Sequence, residues 1–382
     1  MNISSLHTPC YVIDSAALRR NLSILKEVMD STGAHILLAQ KAFSCYGLYP
    51  MIAEYLSGAT ASGLFEARLS HEFMPAAENH IFSPAFKEED MPEILDICDH
   101  IVFNSVRQLV RFAPIARQKG LQTGLRINPE KSTQEGHAIY DPCAEGSRLG
   151  STLEEFEAGL QEFPEMPGLL DGLHFHTLCE QDSDDLELTL DEFETKFKKY
   201  LPGMKWVNFG GGHHITRPGY DIDRLKRCIR RMQTGYGLEV YLEPGEAIAL
   251  NAGYLYTKVL EVQHRKSLDI AILDTSAACH MPDVLEMPYR PPLKDSGEAG
   301  EKDFTYRLAG PTCLSGDVIG DYSFDRPLTE GDILRFDDMA IYSMVKNNTF
   351  NGMPLPEIDI LEEDGNLRTW KKFGYDDFKS RL

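Results

Sequence analysis

Lys205-Trp206-Val207-Asn208-Phe209-Gly210-Gly211-Gly212 is the stretch on which the reading of the fold turns. It is a short apolar strand that stops abruptly in glycines, and the amphipathic run Asp223–Thr234 follows it. That is one strand–helix repeat. Downstream the pattern recurs at Glu239–Glu243. Upstream it recurs at His35–Ala39, Gly58–Ser62, His80–Ser83, His100–Asn104, Thr123–Asn128 and Leu170–His176. Amphipathic stretches lie between these runs, among them Leu48–Leu56, Leu64–Phe73, Val106–Gln118, Leu153–Glu162 and Leu186–Lys198. Eight strand–helix alternations predict an α/β chain built on a (β/α)8 barrel, with chemistry at the C-terminal ends of the strands.

Beyond about residue 250 the texture changes. Leu255–Gln263, Leu268–Leu273, Phe304–Leu308, Asp332–Phe336 and Ile358–Leu361 read as strands separated by Gly- and Pro-rich turns. Thr8–Ile13 is a further strand able to join them. The expected organisation is a barrel over residues 21–250 and a mostly β domain made of 1–20 plus 251–382. Pro288–Lys302, rich in Pro, Gly and charge, is expected to be an exposed loop.

The 382 residues carry a net charge of −21, which argues against nucleic acid as a partner and is compatible with a cationic substrate. No apolar run is long enough to span a membrane, and Met1–Pro9 lacks the pattern of a signal peptide. The eight cysteines suggest neither a disulfide framework nor a zinc site, so a reducing cytoplasm is expected.

Several strand ends carry reactive side chains. Lys41 closes Leu37-Leu38-Ala39-Gln40-Lys41, where desolvation would lower its pKa and free the amine to attack an aldehyde. A plain surface lysine has the same local pattern. Gly210–Gly212 would let backbone N–H groups approach a phosphate, or would simply form a tight turn. Glu243-Pro244-Gly245-Glu246 offers a carboxylate that would keep a pyridine nitrogen protonated, or a solvated turn. In His174-Phe175-His176 both imidazoles share one face of the strand. A metal pair, a ring-stacking histidine and a polar strand end all fit that pattern. His213-His214 diverge as neighbours, and no metal site is expected. Cys313, bracketed by Pro311, Thr312 and Gly316, sits on a turn where it could be reactive; a buried thiol is the other reading.

Together these residues resemble the fold-type III decarboxylases that use pyridoxal 5′-phosphate (PLP), the barrel group acting on ornithine, arginine and diaminopimelate. The match covers nearly the whole chain. His174–Glu180, Trp206–Ile215, Leu242–Glu246, His280–Asp283 and Gly316–Asp321 point to the branch that acts on carboxylated polyamines. The resemblance implies that Lys41 holds PLP as a Schiff base and that His176 stacks on its ring. Gly210, Gly211, Gly212, Gly245 and Tyr342 would meet the phosphate, and Glu243 the pyridine nitrogen. Cys313 would work at the reacting carbon of the neighbouring subunit in a homodimer with shared sites, with Asp317 on the same loop. Asp274 matches a position that holds the substrate amine. The implied reaction converts carboxynorspermidine or carboxyspermidine to norspermidine or spermidine.

Three departures refine this. Glu246 stands where the family usually has arginine, which argues against a substrate with a second distal carboxylate. It favours a distal ammonium, which Glu246 and Asp283 would pair with. Cys179 replaces a phosphate-binding serine, and Leu314 replaces the acid that often follows the cysteine. The competing readings are another decarboxylase of the group, an alanine racemase of the same architecture, a silent PLP-binding regulator, and a metal-dependent barrel hydrolase using His174, His176 and His213.

Overall fold

The computed structural model describes residues 6–134 and 141–382, so most of the Met1–Pro9 leader reading lies outside the described residues. By contacts the chain divides into two units, Asn21–Ile248 and Met1–Arg20 with Ala249–Leu382.

The first unit is the barrel. After β1 (Cys10–Asp14), which belongs to the other unit, come β2 (His35–Ala39), β3 (Gly58–Ala61), β4 (Glu78–Phe82), β5 (His100–Phe103), β6 (Gln122–Arg126), β7 (Gly172–His174), β8 (Trp206–Asn208) and β9 (Glu239–Leu242). All pair in parallel, and β9 returns to β2, so the sheet has no free edge. The helices cover it with one apolar face each. In Ile222–Tyr236 the buried residues are Leu225, Cys228, Ile229 and Met232, the spacing of a single helical stripe. Asp221 caps its start and Gly237, at φ 70°, ends it.

Inside, strand alternation stacks side chains in layers. Leu37, Val102, Trp206 and Tyr241 form an apolar middle layer against Phe82. Trp206 fits because the adjacent strand β7 and the next one, β6, carry glycine beside it. A Cβ on Gly124 would lie 2.3 Å from its ring, and one on Gly172 2.1 Å. Stepping two residues along the same strands leads from this filled layer to Arg126, His174 and Asn208. The register sets these three side by side, Arg126 opposite His174 and His174 opposite Asn208. The packed middle thus becomes the floor of a polar mouth.

The second unit holds β1 and β10 (Gly253–Gln263), β11 (Asp269–Leu273), β12 (Phe304–Ala309), β13 (Val318–Phe324), β14 (Ile333–Asp337), β15 (Glu357–Leu361) and β16 (Leu367–Lys371). Their order is β13-β12-β11-β10-β1-β15-β16, with β14 also on β10. The sequence reading lacked β13 and β16. Leu367–Lys371 is an edge strand of mixed exposure with little alternation, which explains that omission. Pro288–Lys302 is a largely exposed loop, as expected. It is irregular but pinned: Leu293 is buried, Tyr322 donates to the Pro291 carbonyl at 2.7 Å, and Leu293 and Gly297 bridge to Phe336 and Ser323. All eight cysteines are free thiols. Among the described residues no helix is long and apolar enough to cross a membrane.

Candidate active site

The barrel mouth gathers Lys41, Arg126, His174, His176, Asn208, Gly210–Gly212, Glu243 and Glu246. Lys41 lies two residues beyond β2. Solvent reaches it through the mouth, while protein surrounds its other sides. That crowding lowers the pKa of its ammonium, and the Arg126 charge adds to the effect. Glu243, Glu66 and Cys179 oppose it. The turn carrying Lys41 is held close to the end of β9. Ala39 donates to the Pro244 carbonyl at 3.2 Å, and a Cβ on Gly245 would lie 2.6 Å from that of Ala42.

Glu243 is buried beneath this turn. Burial pushes its carboxyl up, but His174 and Asn208 outweigh that and hold it at about 2. Asn208 Nδ2 donates to Oε1 at 2.8 Å, and His174 Nε2 stands 3.2 Å from Oε2. The carboxylate is therefore ionised, buried and held by two neighbours supplied by the β7–β8 register. His174 itself is kept low by burial, against the pull of Glu243.

His176 is pushed well below the ordinary histidine range by burial and by the Lys41 and Arg126 charges. Its Nδ1 accepts the Gly211 N–H at 3.3 Å, which leaves the proton on Nε2. The glycines form a cradle that side chains would fill. A Cβ on Gly210 would meet the Phe175 carbonyl at 2.4 Å, one on Gly211 the Glu243 carbonyl at 2.6 Å, and one on Gly212 the Leu178 carbonyl at 2.0 Å. Gly210 N–H is used by Asn208 Oδ1 at 2.8 Å, and Gly211 N–H by His176. Among the described residues Gly212 N–H has no protein acceptor.

Glu246 faces His214, with Oε1 3.4 Å from Nε2. Burial lowers the His214 pKa, but this carboxylate raises it above the ordinary value. His213 instead turns to the Phe209 carbonyl at 3.3 Å, and burial drives it down to about 4. His174, His176 and His213 do not form a ligand cluster among the described residues.

The remaining candidates lie in the β unit. Cys313 is exposed on a turn, its N–H bonded to Asn351 Oδ1 at 2.8 Å. Asp317 is buried beneath that turn, taking Ser276 Oγ at 2.9 Å and Thr312 Oγ1 at 2.7 Å. A Cβ on Gly310 would stand 2.2 Å from it, so the turn is built around this carboxylate. Asp274 commits both oxygens within its own unit, to Thr257 Oγ1 and to Thr8 Oγ1, each at 2.6 Å. Asp283 is paired with Lys346. Tyr342 is half-buried, with φ 51°.

Sequence reasoning missed Arg126, Asn208, Glu66 and the His214–Glu246 pair. Arg126 is buried, lies 4.7 Å over the Phe82 ring, and donates to the His176 carbonyl at 3.2 Å. Burial lowers its guanidinium to about 10. A cation at an inward position near the end of a barrel strand was the available signal. Glu66 accepts the Ser62 N–H at 2.6 Å, and burial raises its pKa.

The family model described as "Pyridoxal-dependent decarboxylase, C-terminal sheet domain" matches residues 10–340. The chain belongs to the pyridoxal-dependent decarboxylases. It is 41% identical to a carboxynorspermidine/carboxyspermidine decarboxylase of Campylobacter jejuni, covering 100% of both chains. It is 40% identical to a carboxyaminopropylagmatine decarboxylase of Synechocystis, over 100% of this chain and 96% of the relative. A crystal structure of a carboxynorspermidine decarboxylase from Campylobacter jejuni complexed with norspermidine superimposes with a TM-score of 0.90 at 40% identity, covering 99% of this chain and 100% of that one.

Proposed function

We propose that this decarboxylase binds PLP at the barrel mouth and removes the α-carboxylate from a carboxylated polyamine, carboxynorspermidine or carboxyspermidine. The observation that carries the reading is Glu243, an ionised carboxylate buried at the floor of the mouth, beneath an amine of lowered basicity. The residues fit the cofactor. Lys41 would hold its aldehyde covalently, Glu243 its pyridine nitrogen, and His176 one face of its ring. The cradle of Gly210–Gly212 with Gly245 would take the phosphate, Gly212 N–H being the donor without a protein acceptor. When bound, PLP supplies the electron sink for the charge left by loss of carbon dioxide.

The chain's own groups prepare that event. Crowding at Lys41 lowers the basicity of the amine and so favours its nucleophilic form. His174 and Asn208 fix the Glu243 carboxylate, so it need not reorganise as charge develops above it. The Gly211 bond to His176 Nδ1 orients that ring. Arg126 places a buried cation at the same level, suited to orienting a carboxylate. Lys41 Nζ is a donor for the returning proton, and on the resemblance Cys313 Sγ of a partner subunit is another. That homodimer, the Tyr342 contact with phosphate, and cytoplasmic location belong to the same reading.

Glu246 supports a cationic substrate tail, because it sets a carboxylate where a basic group would suit a second carboxylate. With His214 protonated, Glu246 is partly neutralised; with it neutral, the carboxylate is free to attract an ammonium. Asp283 would assist by exchanging its Lys346 partner. A second reading, a guanidinium-tailed carboxyaminopropylagmatine, is favoured by the nearly equal identity to the Synechocystis relative.

Borohydride reduction of the PLP-loaded protein followed by peptide mass spectrometry tests the cofactor assignment. The pyridoxyl adduct is expected on the peptide containing Lys41 and absent from Lys41→Ala. An adduct on another lysine would refute it.

A further inference from the structure

The opposite end of the barrel carries a polar cluster that decarboxylation does not use. Glu78 and His100 open β4 and β5, His80 follows on β4, and His35 opens β2. The Glu78 carboxylate lies between two imidazoles, Oε1 3.3 Å from His35 Nδ1 and Oε2 2.8 Å from His80 Nε2. His80 and His100 stack, centroids 3.9 Å apart and planes at 20°. A ligand atom from each of Glu78, His80 and His100 lies within 4.8 Å of the others, the one such three-residue group among the described residues. The cluster rests on the apolar middle layer: Tyr241 packs against His35 at 4.7 Å and against His100 at 5.3 Å, and Trp206 against His100 at 5.5 Å.

From this geometry we propose that Glu78, His80 and His100, with His35 at the rim, form a binding site for a divalent transition metal ion of the zinc type at the N-terminal end of the barrel. Two or three imidazoles and one carboxylate are a donor set for Zn2+, Co2+ or Ni2+ rather than for Mg2+ or Ca2+, which take oxygen ligands. The side chains are near the required arrangement but not in it. Bonds of about 2.1 Å place neighbouring ligand atoms roughly 3.4 Å apart, so closing from 4.8 Å asks for movements of about an ångström. The geometry permits them. Glu78 and His35 are partly exposed, which gives the ion a path from solvent and the side chains room to turn. The His100 ring has stacking contacts but no hydrogen-bond partner among the described residues, so it gives up no bond on ligation. The ion would replace the His80–Glu78 contact and tie β4 to β5, and β2 through His35. Its role is structural, because the cluster sits at the end of the barrel away from Lys41.

The test uses the PLP-loaded enzyme, freed of metal with a chelator and titrated with Zn2+ alone and Co2+ alone. Calorimetry is expected to give one saturable ion per chain. The Co2+ form is expected to show the intense visible absorption of a four-coordinate site, and Zn2+ to raise the unfolding midpoint. Glu78→Gln, which keeps the shape, and His100→Phe, which keeps the stacking, should each weaken Zn2+ at least ~10-fold and abolish the rise in midpoint. Should His100→Phe fail to fold, Glu78→Gln alone decides. No saturable binding, or binding unchanged in the folded variants, would overturn the proposal.

Discussion

Replacing Glu243 by Gln keeps the shape of the barrel floor and removes its charge. In the folded protein the carboxyl is held at about 2 against an ordinary 4.5. At 1.36 kcal/mol per decade that gap is worth on the order of 3 kcal/mol of folding stability at neutral pH. The sign follows from the depressed value. The contribution is complete above about pH 4.5 and is lost as the pH falls from there toward 2. By the same linkage, about 1 kcal/mol is gone at pH 4 and about 2 kcal/mol at pH 3. Glu243→Gln should therefore flatten the acid limb of the stability curve by these amounts, measured by urea unfolding of the cofactor-free protein at a series of pH values. In the loaded enzyme proposed above, the neutral amide would no longer keep the pyridine nitrogen protonated. The electron sink would weaken, and kcat should fall by ~10^2–10^3, the range for removing one preorganised electrostatic partner. The reasoning fails if the variant keeps wild-type turnover, or if the two acid limbs superimpose.

Three further outcomes follow from contacts described above. Gly212→Ala forces a Cβ to within 2.0 Å of the Leu178 carbonyl at a φ of +82°, so a spectrophotometric titration should find PLP affinity reduced at least ~10-fold, with the fold weakened by ~1–2 kcal/mol or more. Asp317→Asn exchanges an acceptor-only carboxylate for a group with one acceptor oxygen. It should cost ~1–3 kcal/mol in chemical denaturation and raise the rate at which Cys313 reacts with a thiol reagent, as its turn loosens. Glu246→Gln removes a charge-assisted contact of ~1.5–3 kcal/mol, so kcat/KM for a carboxylated polyamine should fall ~10–100-fold, with little change in kcat if the contact is equally strong in ground and transition states.

The eight barrel strands were legible because each is a short apolar run cut off by a polar or glycine residue, and each recurs after a helix. Their boundaries agree with the structure to within a few residues: His35–Ala39 coincides, and Leu170–His176 overruns the observed Gly172–His174. Sequence reading also brought Lys41, His176, Gly210–Gly212, Glu243 and Glu246 to one end of the barrel, since strand direction alone places them there. Partnerships across the barrel were not legible. The contact between His174 and Glu243, the level shared by Arg126 and Asn208, and the cluster of Glu78 with His80 and His100 all depend on the register of neighbouring strands. A single strand's pattern does not encode that register. Asp274 shows the same limit in the β unit. Its acidity was visible, but its engagement by Thr8, a residue 266 positions away, was not.

The most direct test of the central claim is carbon dioxide release by the purified, PLP-loaded protein. Carboxynorspermidine, carboxyspermidine, carboxyaminopropylagmatine, diaminopimelate and ornithine would be compared side by side. The account predicts rapid release from carboxynorspermidine or carboxyspermidine, and none of comparable efficiency from diaminopimelate. Preferred turnover of diaminopimelate would contradict the reading of Glu246, and no release from any of the five would contradict the assignment as a polyamine decarboxylase.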